Sequence, residues 1–400
     1  MSSSKKKIFY ISLIEDPINN GIIKSQVINV LKAAVVAGHA VSFFSSPSRV
    51  FFSRHDTNEI SDFQNDLKSG GIKFYCTPIP IVSNACIRTI LIPFLIAYEL
   101  PIIIFRILKE KPDIIHCRSY PASLLGLIAK IFTRKKLIFD MRGVYPEEGN
   151  FLFPSWHKRS INFRAWKKLE KLLLLFSDKI IVVSNEFKHH VNCITKNSIP
   201  PEKISTVICG TPQVLSSTDF SREAGLPIKI VYSGTIDGWT SPELLAEIYN
   251  KIIIKNPTLQ LHLNIYTNTP ADKIKTAFDG ACIPSHRYSV ASLKSKDVPS
   301  KLAENDLSLL VRENSIVNNV SFPVKISEYI AAGTPILTNR HIKGGQEFIL
   351  QSQTGISLED NDFSLSELVE NIAKYRNNCK NALPDLNKSA ADYLEIYAKL

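Results

Sequence analysis

The strongest constraint on this chain is the order of its hydrophobic runs. Short β-branched segments alternate with longer stretches of helical periodicity, and the alternation breaks once and then restarts. A β-like run over 8–13 is followed by an amphipathic stretch over 22–37, then Gly38-His39 and a second β-like run over 40–44. Further β-like runs cover 113–117, 136–140 and 179–184, with helical patterns over 122–132 and 164–176 between them. This βαβα order predicts parallel sheets, because parallel strands need long crossovers and those crossovers cover both faces. After a run over 204–209, Ser, Thr, Gly and Pro cluster over 211–227, which reads as a linker. The series resumes with strand-like 228–233, helical 242–255, strand-like 260–266 and 306–311, helical 323–332 and strand-like 335–338. The expected fold is α/β, with two doubly wound Rossmann-like domains facing across a cleft, over 1–210 and 227–386. A helix over 387–400 then either caps the second domain or folds back to the first.

Composition narrows the class. The chain has 400 residues, 44% of them hydrophobic, which excludes a disordered tail and leaves material for two cores at about 100–200 residues per domain. Its formal charge of +11 permits an acidic partner. The basic residues are spread along the chain and form no Arg/Lys stripe with stacking aromatics, so no nucleic-acid partner is expected. Seven cysteines without a C-x-x-C pair argue against a disulfide framework or zinc site and point to a reducing cytosol. His189-His190 have no carboxylate at metal spacing, so no metal is assigned. The run over 8–13 is too short for a signal segment, so no export is implied. The apolar stretch over 89–108 approaches bilayer length but carries Pro93, Glu99, Pro101 and Arg106. It reads as a buried helix or two, or as a surface that dips into a membrane.

The densest chemical constellation lies over 309–337. A buried strand ends near Arg312, a polar loop follows, Pro323 opens a helix, and Gly333 stops it before another strand. Unpaired N–H groups and the positive end of the helix dipole favour phosphate at such a start. Lys325 lies in the first turn and Ser321 is a candidate cap. Glu328, one turn on, is placed to accept hydrogen bonds from ribose hydroxyls. The competing reading is an ordinary amphipathic helix with Lys325 and Glu328 paired on its solvated face.

The segment Ser321-Phe-Pro-Val-Lys-Ile-Ser-Glu-Tyr-Ile-Ala-Ala-Gly-Thr-Pro-Ile-Leu resembles the nucleotide-sugar signature of family 4 retaining glycosyltransferases, which adopt the GT-B fold. Collinear stretches resemble the same family: Gly21 before the first helix, Lys111-Pro-Asp-Ile-Ile-His-Cys-Arg-Ser-Tyr120, Phe139-Asp-Met-Arg-Gly-Val-Tyr-Pro-Glu-Glu148, Val231-Tyr-Ser-Gly-Thr235 and Gly344-Gly-Gln-Glu347. The resemblance implies sugar transfer with retention from a nucleoside diphosphate sugar to the hydroxyl of a glycan or lipid-linked acceptor, without a metal or other cofactor. Such an activity would serve cell-surface polysaccharide or lipopolysaccharide assembly. It implies catalytic roles for Arg312, Lys325 and Arg142, and donor contacts from Glu328, Ser321, Phe322, Pro323, Gly234 and Thr235. Gly21, Arg118, Glu147 and Glu148 fall on the acceptor side. Two departures stand out. An earlier glutamate of the family pattern falls on Val320, leaving Asn318 or Asn319 as substitute polar contacts, and the loop after 231–234 lacks the usual Arg and Lys.

Alternatives remain at this level. Arg142 also reads as part of a buried ion-pair network with Asp140 and Glu147-Glu148, and His116 as a core histidine. Asp360-Asn-Asp362 reads as a loop and helix cap, and the chain has neither G-x-G-x-x-G after its first strand nor a P-loop. An inactive nucleotide-binding or partner subunit, or a nucleotide-sugar epimerase or hydrolase, would carry the same architecture. If the acceptor is lipid-linked, Lys5-Lys6-Lys7 and the stretch over 89–108 would hold the first domain on an anionic inner leaflet, which makes the expected location the cytoplasm or its membrane face.

Overall fold

The computed structural model describes residues 5–18, 21–48, 53, 55–79, 92–153, 156–211, 227–236, 238–359 and 364–400. Residues 89–91, most of the linker expected over 211–227, and Asp360-Asn-Asp362 lie outside that set. The chain divides into two units, 1–210 with 386–400, and 211–385.

In the first unit the strands are β1 (Lys7–Ile14), β2 (Ala40–Pro47), β3 (Ile72–Cys76), β4 (Ile114–Arg118), β5 (Lys136–Asp140), β6 (Lys179–Val182) and β7 (Ile204–Thr206). They form one parallel sheet in the order 3-2-1-4-5-6-7. Alternate strand residues feed two cores. Ile8, Tyr10, Val41, Phe43, Ile114 and Ile138 pack on one face, and Phe9, Ile11, Phe44, Ile115 and Leu137 on the other. Both faces are apolar, so the strands lack the polar alternation of a one-sided sheet.

The first face is covered by α1 (Asn29–Val36), by α2 (Thr57–Ser69) and by the C-terminal helix. A turn over Gly21–Ile23 and a π-helical stretch over Lys24–Ile28 lead into α1 without a break. The π-turn makes Gln26 a buried residue, and such turns recur where a helix must re-aim a side chain. The second face carries α3 (Ile92–Glu110), α4 (Ser119–Thr133) and, packed against α4, α6 (Ile161–Phe176); α5 (Tyr145–Leu152) lies between β5 and α6, and α7 (Asn185–Thr195) follows β6. α3 is one helix with Pro101 inside it; Ile103 and Ile107 enter the core while Phe105 and Leu108 stay exposed. Among the described residues no helix is long and apolar enough to cross a membrane.

The second unit repeats the plan. β8 (Ile228–Ser233), β9 (Leu261–Tyr266), β10 (Tyr288–Ala291), β11 (Leu307–Leu310), β12 (Ile336–Thr338) and β13 (Gly355–Ser357) form a parallel sheet in the order 10-9-8-11-12-13. Counted from β8 this is 3-2-1-4-5-6, so each sheet reverses direction of winding once, between β1 and β4 and between β8 and β11. Ligands of doubly wound sheets sit beyond the strand ends at that reversal. Around the second sheet run α8 (Pro242–Lys255), α9 (Ala271–Gly280), α10 (Val298–Ala303), α11 (Ile316–Val320), α12 (Val324–Ala331), α13 (Lys343–Gln351), α14 (Leu365–Glu370) and α15 (Ile372–Ala382).

The last helix, α16 (Leu386–Lys399), belongs to the first unit. Tyr393, Ile396 and Tyr397 enter its core, and the Ser389 hydroxyl donates to the Ile208 carbonyl at 2.9 Å. His116 is fully buried with Nδ1 2.8 Å from the Tyr397 hydroxyl, so it is a core histidine, and burial pushes its pKa down.

Candidate active site

At the winding reversal of the second sheet, β8 ends in Ser233-Gly234 and β11 runs on to Arg312, with α12 starting close by. Arg312 is 9% exposed. Its backbone is gripped twice by buried Asn339, whose Oδ1 accepts from Arg312 N at 3.1 Å and whose Nδ2 donates to Arg312 O at 2.9 Å. The guanidinium Nε has no hydrogen-bond partner among the described residues.

Lys325 points back from the first turn of α12 to the end of β8. Its Nζ lies 4.6 Å from the centre of the Tyr232 ring and 3.4 Å from the Tyr232 hydroxyl. Gly234, at φ +122°, makes room for it: a Cβ there would sit 2.1 Å from Lys325 Nζ. Tyr329 ties helix to strand, its hydroxyl accepting from Ser233 N at 2.9 Å. The solvated Lys325–Glu328 pair considered from sequence does not form; both side chains are half-buried and no ion pair within 4.0 Å joins them. Burial, reinforced by the Arg312 charge and only partly offset by Glu328, pushes Lys325 down to about 7. Burial also lowers Arg312 and raises Glu328, the latter opposed by Lys325.

A buried and a half-buried cation therefore stand at these strand ends without a carboxylate ion-paired to either among the described residues. Such an arrangement is unfavourable by itself and becomes favourable when an anion enters. The start of α12 points the same way. Ser321 does not cap it, because Ser321 closes α11 and its hydroxyl donates to the Asn318 carbonyl at 2.8 Å. The cap position falls to Pro323, which offers no side-chain acceptor, so the first-turn N–H groups are left uncapped by any side chain. Phe322 and Pro323 shape this start: Phe322 is buried edge-on against Phe348, and Pro323 lies against Gly345. Thr235 is exposed, and its carbonyl accepts from the Tyr232 hydroxyl at 3.1 Å. A cavity of about 370 Å³, within the range of small-molecule sites, lies alongside. Ser233, Glu328 and Ala331 line it on one side and Val298, Pro299 and Leu302 of α10 on the other.

Val320 is buried, so no carboxylate stands at that position. Of its two candidate replacements, Asn318 is committed to the loop, its Nδ2 donating to the Glu313 carbonyl at 2.8 Å. Asn319 Oδ1 has no hydrogen-bond partner among the described residues. Tyr232, Tyr329 and Asn339 are the site residues the sequence did not single out. The cue for the tyrosines was present, one directly before Ser233-Gly234 and one directly after Glu328; nothing local marks Asn339.

The first-unit candidates group at its own reversal point. Arg118, 5% exposed, donates from Nε to both Glu15 oxygens at 3.1 and 2.9 Å and from Nη2 to Gln26 Oε1 at 3.1 Å. Arg142 donates from Nη2 to the same Gln26 oxygen at 2.7 Å and from Nη1 to the Tyr393 hydroxyl at 3.1 Å, and lies 3.6 Å from Asp140. The network read from sequence is present around Asp140 but without Glu147 or Glu148. Although burial opposes it, Arg142, His116 and Arg118 hold Asp140 down to about 2. Glu147 pairs with Lys167 at 2.8 Å. Glu148 is half-buried and has no ion pair among the described residues; burial, helped by Glu147, pushes it up to about 7. Gly21 is exposed with open space where a Cβ would be, so sterics do not demand glycine there.

Residues 23–212 match the family model described as Glycosyltransferase Family 4. No curated protein is significantly similar in sequence. Among solved structures the chain is similar to a glycosyltransferase from Rickettsia africae ESF-5 (18% identity, TM-score 0.68, 99% of this chain and 98% of that one). It is also similar to sucrose-phosphate synthase from Thermosynechococcus elongatus (15%, 0.70, 99% and 99%) and to Anabaena HepE in complex with UDP (15%, 0.63, 99% and 100%). At these identities the likeness carries the fold alone, and that fold is GT-B. The first unit thus matches the model of glycosyltransferase family 4, and the two doubly wound sheets share the GT-B architecture.

Proposed function

We propose that the protein transfers a hexosyl group, with retention, from a nucleoside diphosphate sugar to an acceptor hydroxyl in cell-surface glycan or lipopolysaccharide assembly, working in the cytoplasm or at its membrane face. The observation that carries this reading is the pair of cations without an ion-paired carboxylate among the described residues, buried Arg312 and half-buried Lys325, at the uncapped start of α12. Charge accumulates on the departing diphosphate as the glycosidic bond breaks, while the sugar becomes oxocarbenium-like. Donors fixed in a dry site stabilise that charge without reorganisation. With Arg312, Lys325 and backbone N–H groups facing the phosphates, the chemistry needs no metal. Retention comes from the resemblance of the 321–337 segment to the retaining enzymes.

In this reading the nucleoside occupies the cavity between α10 and α12, with Glu328 accepting from ribose hydroxyls and Gly234 and Thr235 passing close to the phosphates. Ser321, Phe322 and Pro323 shape the helix start, and Asn319 supplies the polar contact that Val320 does not. On the acceptor side Arg118 and Arg142 order the pocket near Gly21. Glu148 rather than Glu147 faces the reacting hydroxyl, because Glu147 is tied to Lys167 and a carboxyl near 7 exchanges protons at neutral pH.

Melting temperature measured against UDP-, GDP- and ADP-sugars tests this. One base class should raise it by several degrees, and Glu328→Ala should reduce that rise while leaving the ligand-free value within about 2 °C. No shift with any of them would contradict the proposal. A shift without turnover for any acceptor would mark the chain as a binder.

A further inference from the structure

We propose that Tyr393 is a positioning residue for sugar transfer: from the C-terminal helix its hydroxyl sets the Arg142 guanidinium that orders the acceptor pocket. This rests on the acceptor-side role of Arg142 in the proposed function and extends it to a residue 251 positions further along the chain.

Arg142 and Asp140 stand side by side at the end of β5, yet the ion pair between them is loose. Arg142 Nη1 lies 3.6 Å from Asp140 Oδ1, beyond hydrogen-bond reach. The Tyr393 hydroxyl makes the connection that the pair itself does not. It accepts from Arg142 Nη1 at 3.1 Å and donates to Asp140 Oδ2 at 3.0 Å. A phenolic O–H can do both at once, so a single group orients cation and anion together.

The rest of the guanidinium's setting is neutral. Nη2 donates to Gln26 Oε1 at 2.7 Å and to Cys209 Sγ at 3.0 Å. The same Gln26 oxygen accepts from Arg118 Nη2 at 3.1 Å, so one amide holds two guanidinium groups that repel each other. Among the described residues, Tyr393 is the one hydrogen-bond partner of Arg142 Nη1. The Arg142 side chain keeps 11% of its surface exposed, which leaves part of it open to a bound molecule.

Tyr393 and Tyr397 lie four apart on α16, hence on one face, and are 3% and 0% exposed. Both rings stand 5.7 Å from the His116 ring. Their hydroxyls meet adjacent strands: that of Tyr397 lies 2.8 Å from His116 Nδ1 in β4, and that of Tyr393 reaches Asp140 in β5. The two tyrosines share helix, depth and surroundings, and of the two it is Tyr393 that bonds to the arginine. Tyr397 is therefore a matched control.

Tyr393→Phe and Tyr397→Phe each remove one buried hydroxyl and keep the ring, so both should lower the melting temperature of the full chain by about 2–4 °C. Transfer should separate them. With the nucleotide sugar that stabilises the protein as donor and a panel of octyl glycosides as acceptors, Tyr393→Phe should lose about tenfold or more in kcat, with KM for the donor within about twofold. Tyr397→Phe should stay within about twofold of the wild-type rate. In an Arg142→Met background Tyr393→Phe should cost less than about twofold more, because its effect passes through that side chain. Nitrogen NMR of arginine-labelled protein gives a readout without turnover: separate Arg142 Nη signals in the wild type and in Tyr397→Phe should merge in Tyr393→Phe as the guanidinium turns faster. Wild-type transfer by Tyr393→Phe, equal losses in the two variants, or full additivity with Arg142→Met would overturn the inference. Donor binding without transfer to any acceptor by the wild type would count against the proposed function instead. In that case unchanged Arg142 signals in Tyr393→Phe would overturn the inference too, and merged signals would support Tyr393 as the group that sets Arg142.

Discussion

Replacing Lys325 by methionine is expected to lower donor turnover by about 10²–10³ while leaving the unliganded protein at least as stable as before. The two effects part company because of where the ammonium sits. Methionine keeps most of the side chain's length, gives up the ammonium's contact with Tyr232 and removes a charge that burial and Arg312 both disfavour. Replacing a buried unpaired cation with an apolar group of similar length is neutral or stabilising. In the proposed function the charge becomes useful when a diphosphate arrives. A steady-state assay paired with a melting curve separates this from simple damage, in which turnover and stability would fall together. Arg312→Met should act in the same direction, and the double variant should lose less than the product of the two, because both cations serve one anion.

Gly234→Ala is expected to reproduce most of the Lys325→Met defect although it removes no functional group. The added methyl would occupy the space of Lys325 Nζ and Cε, at 2.1 and 2.3 Å, and those atoms are the mobile end of a long side chain. The ammonium would be displaced from Tyr232. The backbone adds its own penalty, since φ +122° is open to glycine and costs other residues about 1–3 kcal/mol. Donor affinity should fall by more than about tenfold, with stability reduced by a few kcal/mol at most. Wild-type affinity in Gly234→Ala would mean that Lys325 does not contact the donor from this position.

The parts of this fold that were legible from sequence are those in which local chemistry and tertiary packing agree. β8 ends at Ser233 before a glycine, and α8 opens with Ser241 accepting from Leu244 N and Pro242 in the first turn. Edge strand β10 was not legible: its four residues alternate between half-buried and exposed, and its pairing with β9 is the only thing that marks it as a strand. The membership of α16 in the first unit depends on contacts such as Tyr397 with His116, 281 positions apart. The site was half readable. Arg312, Lys325 and Glu328 could be placed by their positions at a strand tip and in a helix's first turns. That Lys325 is half-buried against Tyr232, and that Asn339 clamps Arg312, depends on how β8, β12 and α12 meet. Ser321 misled because its sequence position suits a cap while its own helix, α11, ends there.

Net proton exchange on donor binding tests the central claim most directly. Lys325 near 7 is mostly neutral at pH 8.5, whereas an adjacent diphosphate would hold it protonated. Calorimetric titration of UDP, GDP and ADP at pH 8.5, in two buffers of different ionisation enthalpy, should show uptake of close to one proton per nucleotide bound. Uptake should shrink as the pH is lowered from 8.5 towards 7, where more of the ammonium is already charged, and affinity should weaken by up to about tenfold per pH unit above 7. In Lys325→Met the uptake at pH 8.5 should disappear and affinity should no longer fall as the pH rises above 7. Tight binding with no proton uptake in the wild type, or the same uptake in Lys325→Met, would contradict the account.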